Sequence, residues 1–261
     1  MSLLVTALVG IGLVFSLRLS SAPHSPTTLE GYDFLAQAAK ATNDLPAFQS
    51  TIQIGSESTL TGLANTMDIT GVLDLDRQTG KASLMLTTEG NSQMDTGQDF
   101  NVTTQLFSDG ENVYERAGTE TKPSDMTAAQ FREACDGYRI ELFSPDLVDT
   151  QNVSIAPNHS DASTLVFYLS ALPDEVLASV VEQYETLLDE SVVAAEIVLT
   201  KAQFAYVVED GLVTSQNIQI STKYQAGVRS AAYQTISEIN LTQSSKDYSF
   251  TLPPLPQTTR Q

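Results

Sequence analysis

Segment after segment of this chain alternates apolar and polar side chains, and short turns rich in glycine join them. In Met67–Asp76, Met67, Ile69, Leu73 and Leu75 share one side, opposite Asp68, Thr70, Asp74 and Asp76. In Lys81–Thr88, Ala82, Leu84 and Leu86 oppose Lys81, Ser83 and Thr87. Phe48–Ser56 places Phe48, Ile52 and Ile54 together. A period of two is the mark of antiparallel sheet with one wet face. Arg77-Gln78-Thr79-Gly80 reads as a hairpin loop, and the Asp-Gly pairs at Asp109-Gly110 and Asp210-Gly211 suit turns that need positive φ. Further strands are predicted at Asn101–Phe107, Asn112–Arg116, Thr164–Ser170, Ala202–Glu209, Leu212–Tyr224 and Ser230–Thr242. In the last three, Phe204, Tyr206 and Val208 share a face, as do Ile218 and Ile220, and then Tyr233, Ile239 and Leu241. At least eight antiparallel strands result, and a sheet that wide curls. Three prolines keep Phe250–Pro256 out of any central strand, so this tail is expected to dock along an edge.

Three helices interrupt the strands. Leu29–Thr42, capped by Thr28, carries Phe34, Leu35, Ala38 and Ala41 as a narrow apolar stripe. Thr127 and Gln130 form a capping box for a short helix ending at Gly137, with Phe131 and Cys135 on one face. Pro173 opens the best-marked helix, whose stripe is Val176, Leu177, Val180, Val181, Tyr184, Leu187 and Leu188. Ala117–Ser124 reads as a polar loop, and Asp136–Asp161 as irregular chain with one short strand near Val153. The fold class is therefore α+β: one strongly curved antiparallel sheet, an unclosed β-barrel, covered by a few helices. The last helix needs an apolar surface, and the concave face of the sheet provides it.

Leu3–Leu17 is an uncharged run of fifteen residues. It matches a secretory signal better than a membrane span, which takes roughly 20 residues. Residues 1–22 are expected to be a signal peptide or N-terminal membrane anchor, and 23–28, with two prolines, a linker. The chain would then act outside the cytoplasm, secreted or tethered through residues 3–17. Lys and Arg number 13 against 32 Asp and Glu, a formal charge of −19. Such a surface repels phosphate backbones, which excludes a nucleic-acid partner. One cysteine and two histidines exclude a disulfide framework and a Cys/His zinc site. Asp74–Gly80 resembles the start of a calcium loop but lacks its third carboxylate and distal glutamate, so it reads as a turn. No glycine-rich phosphate loop, nucleophile elbow or HExxH is present, and His159 sits in a polar loop. No enzyme activity, cofactor or metal is expected.

An exported chain that opens with a helix and enters meandering strands resembles a known family. The supporting segments are the hairpin Leu75-Asp76-Arg77-Gln78-Thr79-Gly80-Lys81, the turn Phe107-Ser108-Asp109-Gly110-Glu111-Asn112-Val113-Tyr114-Glu115, and the long final strands before Leu252-Pro253-Pro254. Their order is similar to the LolA/LolB/LppX-type lipoprotein carriers, including related envelope lipoproteins of Gram-positive bacteria. The resemblance spans residues 29–256, leaving 257–261 as a disordered tail. It implies helices plugging the mouth of an unclosed barrel and an apolar cavity for acyl chains. Many Gram-positive members carry a lipidated cysteine near the start of the mature chain; this one has none there.

The residues expected to line such a cavity are Ile52, Ile54, Met67, Ile69, Leu73, Leu84, Leu86, Phe204, Tyr206, Val180 and Tyr184. The same residues would also serve as a solid core beneath the helices. The leading expectation is a non-enzymatic envelope protein that binds a lipid or acyl-chain ligand. The other is an interaction or sensor module that meets an envelope protein partner through edge strands and an acidic face. Between Arg139 and Lys201 no Lys or Arg occurs, while Asp and Glu recur throughout.

Overall fold

The computed structural model describes residues 32–92, 99–138, 140, 142–147, 154–157, 162–226, 229–244 and 248–255. The leader, the linker, His159 and residues 257–261 lie outside that set. Among the described residues eleven strands form one antiparallel sheet in the order β6-β5-β4-β3-β2-β1-β11-β10-β9-β8-β7. One half is the meander β1 (Ala47–Leu60), β2 (Leu63–Asp76), β3 (Lys81–Ser92), β4 (Asp99–Ser108), β5 (Val113–Ala117) and β6 (Glu120–Pro123). The other half is β7 (Ser154–Pro157), β8 (Ala162–Tyr168), β9 (Val198–Glu209), β10 (Leu212–Ala226) and β11 (Arg229–Ser244). The halves join where the first strand pairs with the last, from Phe48↔Ser244 to Leu60↔Ala231. β6 and β7 stand at the two ends of the order, so the sheet is not closed.

The turns follow their side chains. Asp76 accepts hydrogen bonds from the amides of Gln78 (2.9 Å) and Thr79 (3.2 Å) and from the Thr79 hydroxyl (2.6 Å), while Gly80 takes φ +72°. This is a hairpin turn in place of any calcium loop. Asp109 caps the amides of Glu111 and Asn112 in the same way. Asp210 and Gly211 both have positive φ, 51° and 75°, as a two-residue hairpin of the primed type requires.

Among the described residues three helices cover one face: α1 (Tyr32–Asn43), α2 (Ala128–Asp136) and α3 (Asp174–Leu188). α2 has both halves of its capping box. α3 buries Val176, Val180, Tyr184 and Leu188.

The structure corrects three expectations. The buried stripe of α1 is Leu35, Ala38, Ala39 and Thr42; Ala41 is exposed and Phe34 is 47% exposed. Thr42 turns inward because its hydroxyl donates to the Ala38 carbonyl (2.9 Å) and accepts from the Val213 amide of β10 (2.8 Å). Ala117–Ser124 is not a loop throughout, since Glu120–Pro123 pairs with β5 across a turn with Gly118 at φ 61°. The C-terminal tail, expected along an edge, begins instead over the middle of the sheet. Tyr248 donates to the Asp74 carboxylate on β2 and accepts from Gln49 of β1 (3.4 Å), in the middle of the sheet, and it stacks with Phe250.

Candidate functional site

The covered face is apolar in two patches. Ile52, Ile54, Ile69, Leu73, Leu84 and Leu86 lie in one cluster, with Met67 half-buried at its margin and Phe131 and Cys135 of α2 against it. Burial, with Asp136 nearby, pushes the Cys135 thiol well above the ordinary range, so it is an un-ionised core residue. Phe204 and Tyr206 of β9 lie in the second cluster with Val180 and Tyr184 of α3, and α1 packs there as well. The expected cavity-lining residues are thus all drawn to one face but divided between two patches.

Between the patches runs a polar seam. On β11, Thr235 and Ser237 separate Ala231 and Tyr233 of one cluster from Ile239 and Leu241 of the other. On β1, Ser56 and Ser58 separate Ile54 from Leu60. Pairing sets Ser56 opposite Thr235, and Ser58 opposite Tyr233. Ser237 is 1% exposed, and its hydroxyl has no hydrogen-bond partner. All buried polar residues among those described are uncharged.

The covers are held unequally. Tyr184 meets the Thr222 hydroxyl of β10 at 3.0 Å, and it is the only α3 side chain hydrogen-bonded to the sheet among the described residues. The segment after α2 is fastened more firmly. Asn43 of α1 donates to the Ile140 carbonyl (2.8 Å) and accepts from its amide (3.1 Å), and the Tyr32 hydroxyl donates to the Phe143 carbonyl (2.7 Å). Burial, with Asp33 adding to it, pushes the Tyr32 phenol up to about 12. Phe143 inserts between Phe167 (5.2 Å between ring centres) and Phe204 (5.1 Å), with Tyr32 and Tyr206 beyond. This plug lies in the stretch that sequence patterning leaves irregular; its one local signal is the short apolar group Ile140, Leu142 and Phe143. A gap of about 20 Å³ persists where Asn43, Ser50, Tyr138 and Ile239 meet, room for about one water.

A larger depression, about 460 Å³, opens on the opposite, wet face over β1, β11, β10 and β9. Its lining includes Glu57, Thr59, Lys201, Gln219, Ser221, Lys223 and Gln234. Among the described residues no group of His, Cys, Asp and Glu is placed to hold a metal ion, and no helix is long and apolar enough to cross a membrane.

No family model matches the sequence, and no curated protein matches it. Among solved structures the chain is similar to one titled "lipid-protein interactions in lipovitellin", at 9% identity and a TM-score of 0.38, over 80% of this chain and 26% of that one. The chain therefore spans about a quarter of the length of that protein.

Proposed function

We propose that this chain is a LolA-like, non-enzymatic protein that acts outside the cytoplasm and takes a lipid or acyl chain between its sheet and its helical covers. The observation that carries the reading is α3: an amphipathic helix whose apolar stripe rests on the sheet while Tyr184 alone ties its side chains there by hydrogen bonding among the described residues. Magnitudes make the exchange feasible. Four buried α3 side chains contribute about 6–12 kcal/mol at roughly 1.5–3 kcal/mol each. An acyl chain of about ten to fifteen methylenes returns a similar sum, about 8–12 kcal/mol at roughly 0.8 kcal/mol each, before ordering costs. A ligand of that length would therefore displace the helix without net loss of burial. Export rests on the uncharged run Leu3–Leu17, which would serve as signal or tether.

The alternative, a module that pairs its edge strands with an envelope partner, is less well supported. Each edge strand has four residues and ends in proline, at Pro123 and Pro157, and short, proline-bearing edges disfavour strand addition. Native mass spectrometry of the chain purified from its host, followed by delipidation and displacement of a fluorescent apolar dye, tests the proposal. A co-purifying lipid mass and dye release by long-chain lipids are expected. A delipidated protein that takes up neither dye nor any acyl ligand would overturn it.

A further inference from the structure

The wet-face depression carries features of a binding site unconnected with the apolar face. It forms where the β9–β10 register slips: Ser221 pairs with Lys201, but the next residue, Thr222, pairs with Leu199, leaving Thr200 as a bulge. The Thr200 hydroxyl holds that bulge by donating to the Ser221 carbonyl at 2.8 Å. A bulge bends its strand and re-aims the neighbouring side chain, and the neighbour is Lys201. The Lys201 ammonium is fixed by donating to the Gln219 side-chain oxygen at 2.5 Å. Lys223 stands two residues beyond Ser221 on the same face and lines the same depression as Lys201.

Two cationic side chains share one depression of an acidic molecule. The chain carries −19 overall, and Lys40, Arg77 and Lys122 each face a carboxylate. Lys201 and Lys223 face none among the described residues, and they share one concavity with hydroxyls at Thr59 and Ser221. Glu57 lies in the same cross-strand row as Lys201, through Gln234 and Ser221, at the far side of the depression. Two ammonium groups provide charge-assisted donors for an anion. The neutral hydroxyls and amides, with one carboxylate beyond, are the partners a polyhydroxylated body needs. The volume, about 460 Å³, falls within the range of small-molecule sites.

We infer that this groove binds an anionic polyol, a phosphorylated or carboxylated sugar unit, with Lys201 and Lys223 on the anion and Glu57, Gln219 and Gln234 on its hydroxyls. The site is on the opposite face from the proposed lipid site and stands or falls separately from it.

Titration of the isotopically labelled chain with glucose 6-phosphate, glucuronate, glucose and inorganic sulfate, followed by amide NMR shifts, tests the inference. The two anionic sugars are expected to shift residues 200–223 and 57–59 saturably, with glucose and sulfate each at least about tenfold weaker. Replacing both lysines (Lys201→Gln with Lys223→Gln) should weaken the anionic sugars by about tenfold or more, as loss of hydrogen bonds to a charged group does, while Lys81→Gln leaves them unchanged. A further titration with phosphatidylcholine vesicles containing phosphatidylinositol assigns the source: co-sedimentation lost in the double variant marks a lipid headgroup, and its absence marks a soluble sugar. Shifts scattered outside the groove, equal binding of sulfate, or affinity unchanged in the double variant would overturn the inference. Apolar-dye binding by the double variant is expected to match the parent, which separates this result from any failure of the lipid reading.

Discussion

At the scale of single residues, the turn aspartates carry a pH signature. Burial opposes ionisation of Asp76, but hydrogen bonds from Thr79 and Gln78, with Lys81 nearby, outweigh it and hold the carboxyl below its ordinary range. Asp109 behaves alike: burial opposes its charge, and the amides of Asn112 and Glu111 with the Tyr114 hydroxyl prevail. A carboxyl depressed in the folded state stabilises fully above its unfolded pKa, about 3.9, and that contribution is lost as pH falls through the folded value. Urea titrations at pH 5 and pH 3 should therefore show a smaller loss of stability for the double variant Asp76→Asn with Asp109→Asn than for the parent. A second expectation concerns Ser237, whose buried hydroxyl lacks a partner. Ser237→Ala removes an unsatisfied polar atom and should raise stability by about 1 kcal/mol, read from the urea midpoint. The turn aspartates were legible in the sequence because their bonding is local. Ser237 was not, because its surroundings are set by strands distant in the chain.

At the scale of elements, local chemistry and tertiary packing divide what could be read. The capping box of α2 and the broad stripe of α3 needed only spacing, and both formed. Thr127→Ala should cost about 1 kcal/mol of stability, with the helix otherwise intact by circular dichroism. The face of α1 was misread because Phe34 outweighs Thr42 on any hydrophobic scale, whereas the amide of Val213 makes Thr42 the inward residue. Thr42→Val should therefore destabilise by about 1–3 kcal/mol despite its greater hydrophobicity, since it strands a buried amide. β6 escaped notice because Glu120–Pro123 is polar and carries no alternation to detect.

At the scale of the whole molecule, the alternation revealed a wide sheet but not which strands meet. The separation of the proposed lining residues into two clusters, with hydroxyls between, follows from β1 lying against β11. Nothing local to either strand encodes that pairing. The charge of −19 is a global property with a global test: screening its self-repulsion should raise the melting temperature by about 2–5 °C between low salt and 0.2 M NaCl. The same β1–β11 pairing constrains how the chain is made. This long central ladder joins the first described strand to the last, so the two halves stay unmarried until β11 has been synthesised. A nascent chain halted before residue 229 presents β1 and β10 as bare borders, and such a fragment should be degraded or captured by chaperones rather than persist.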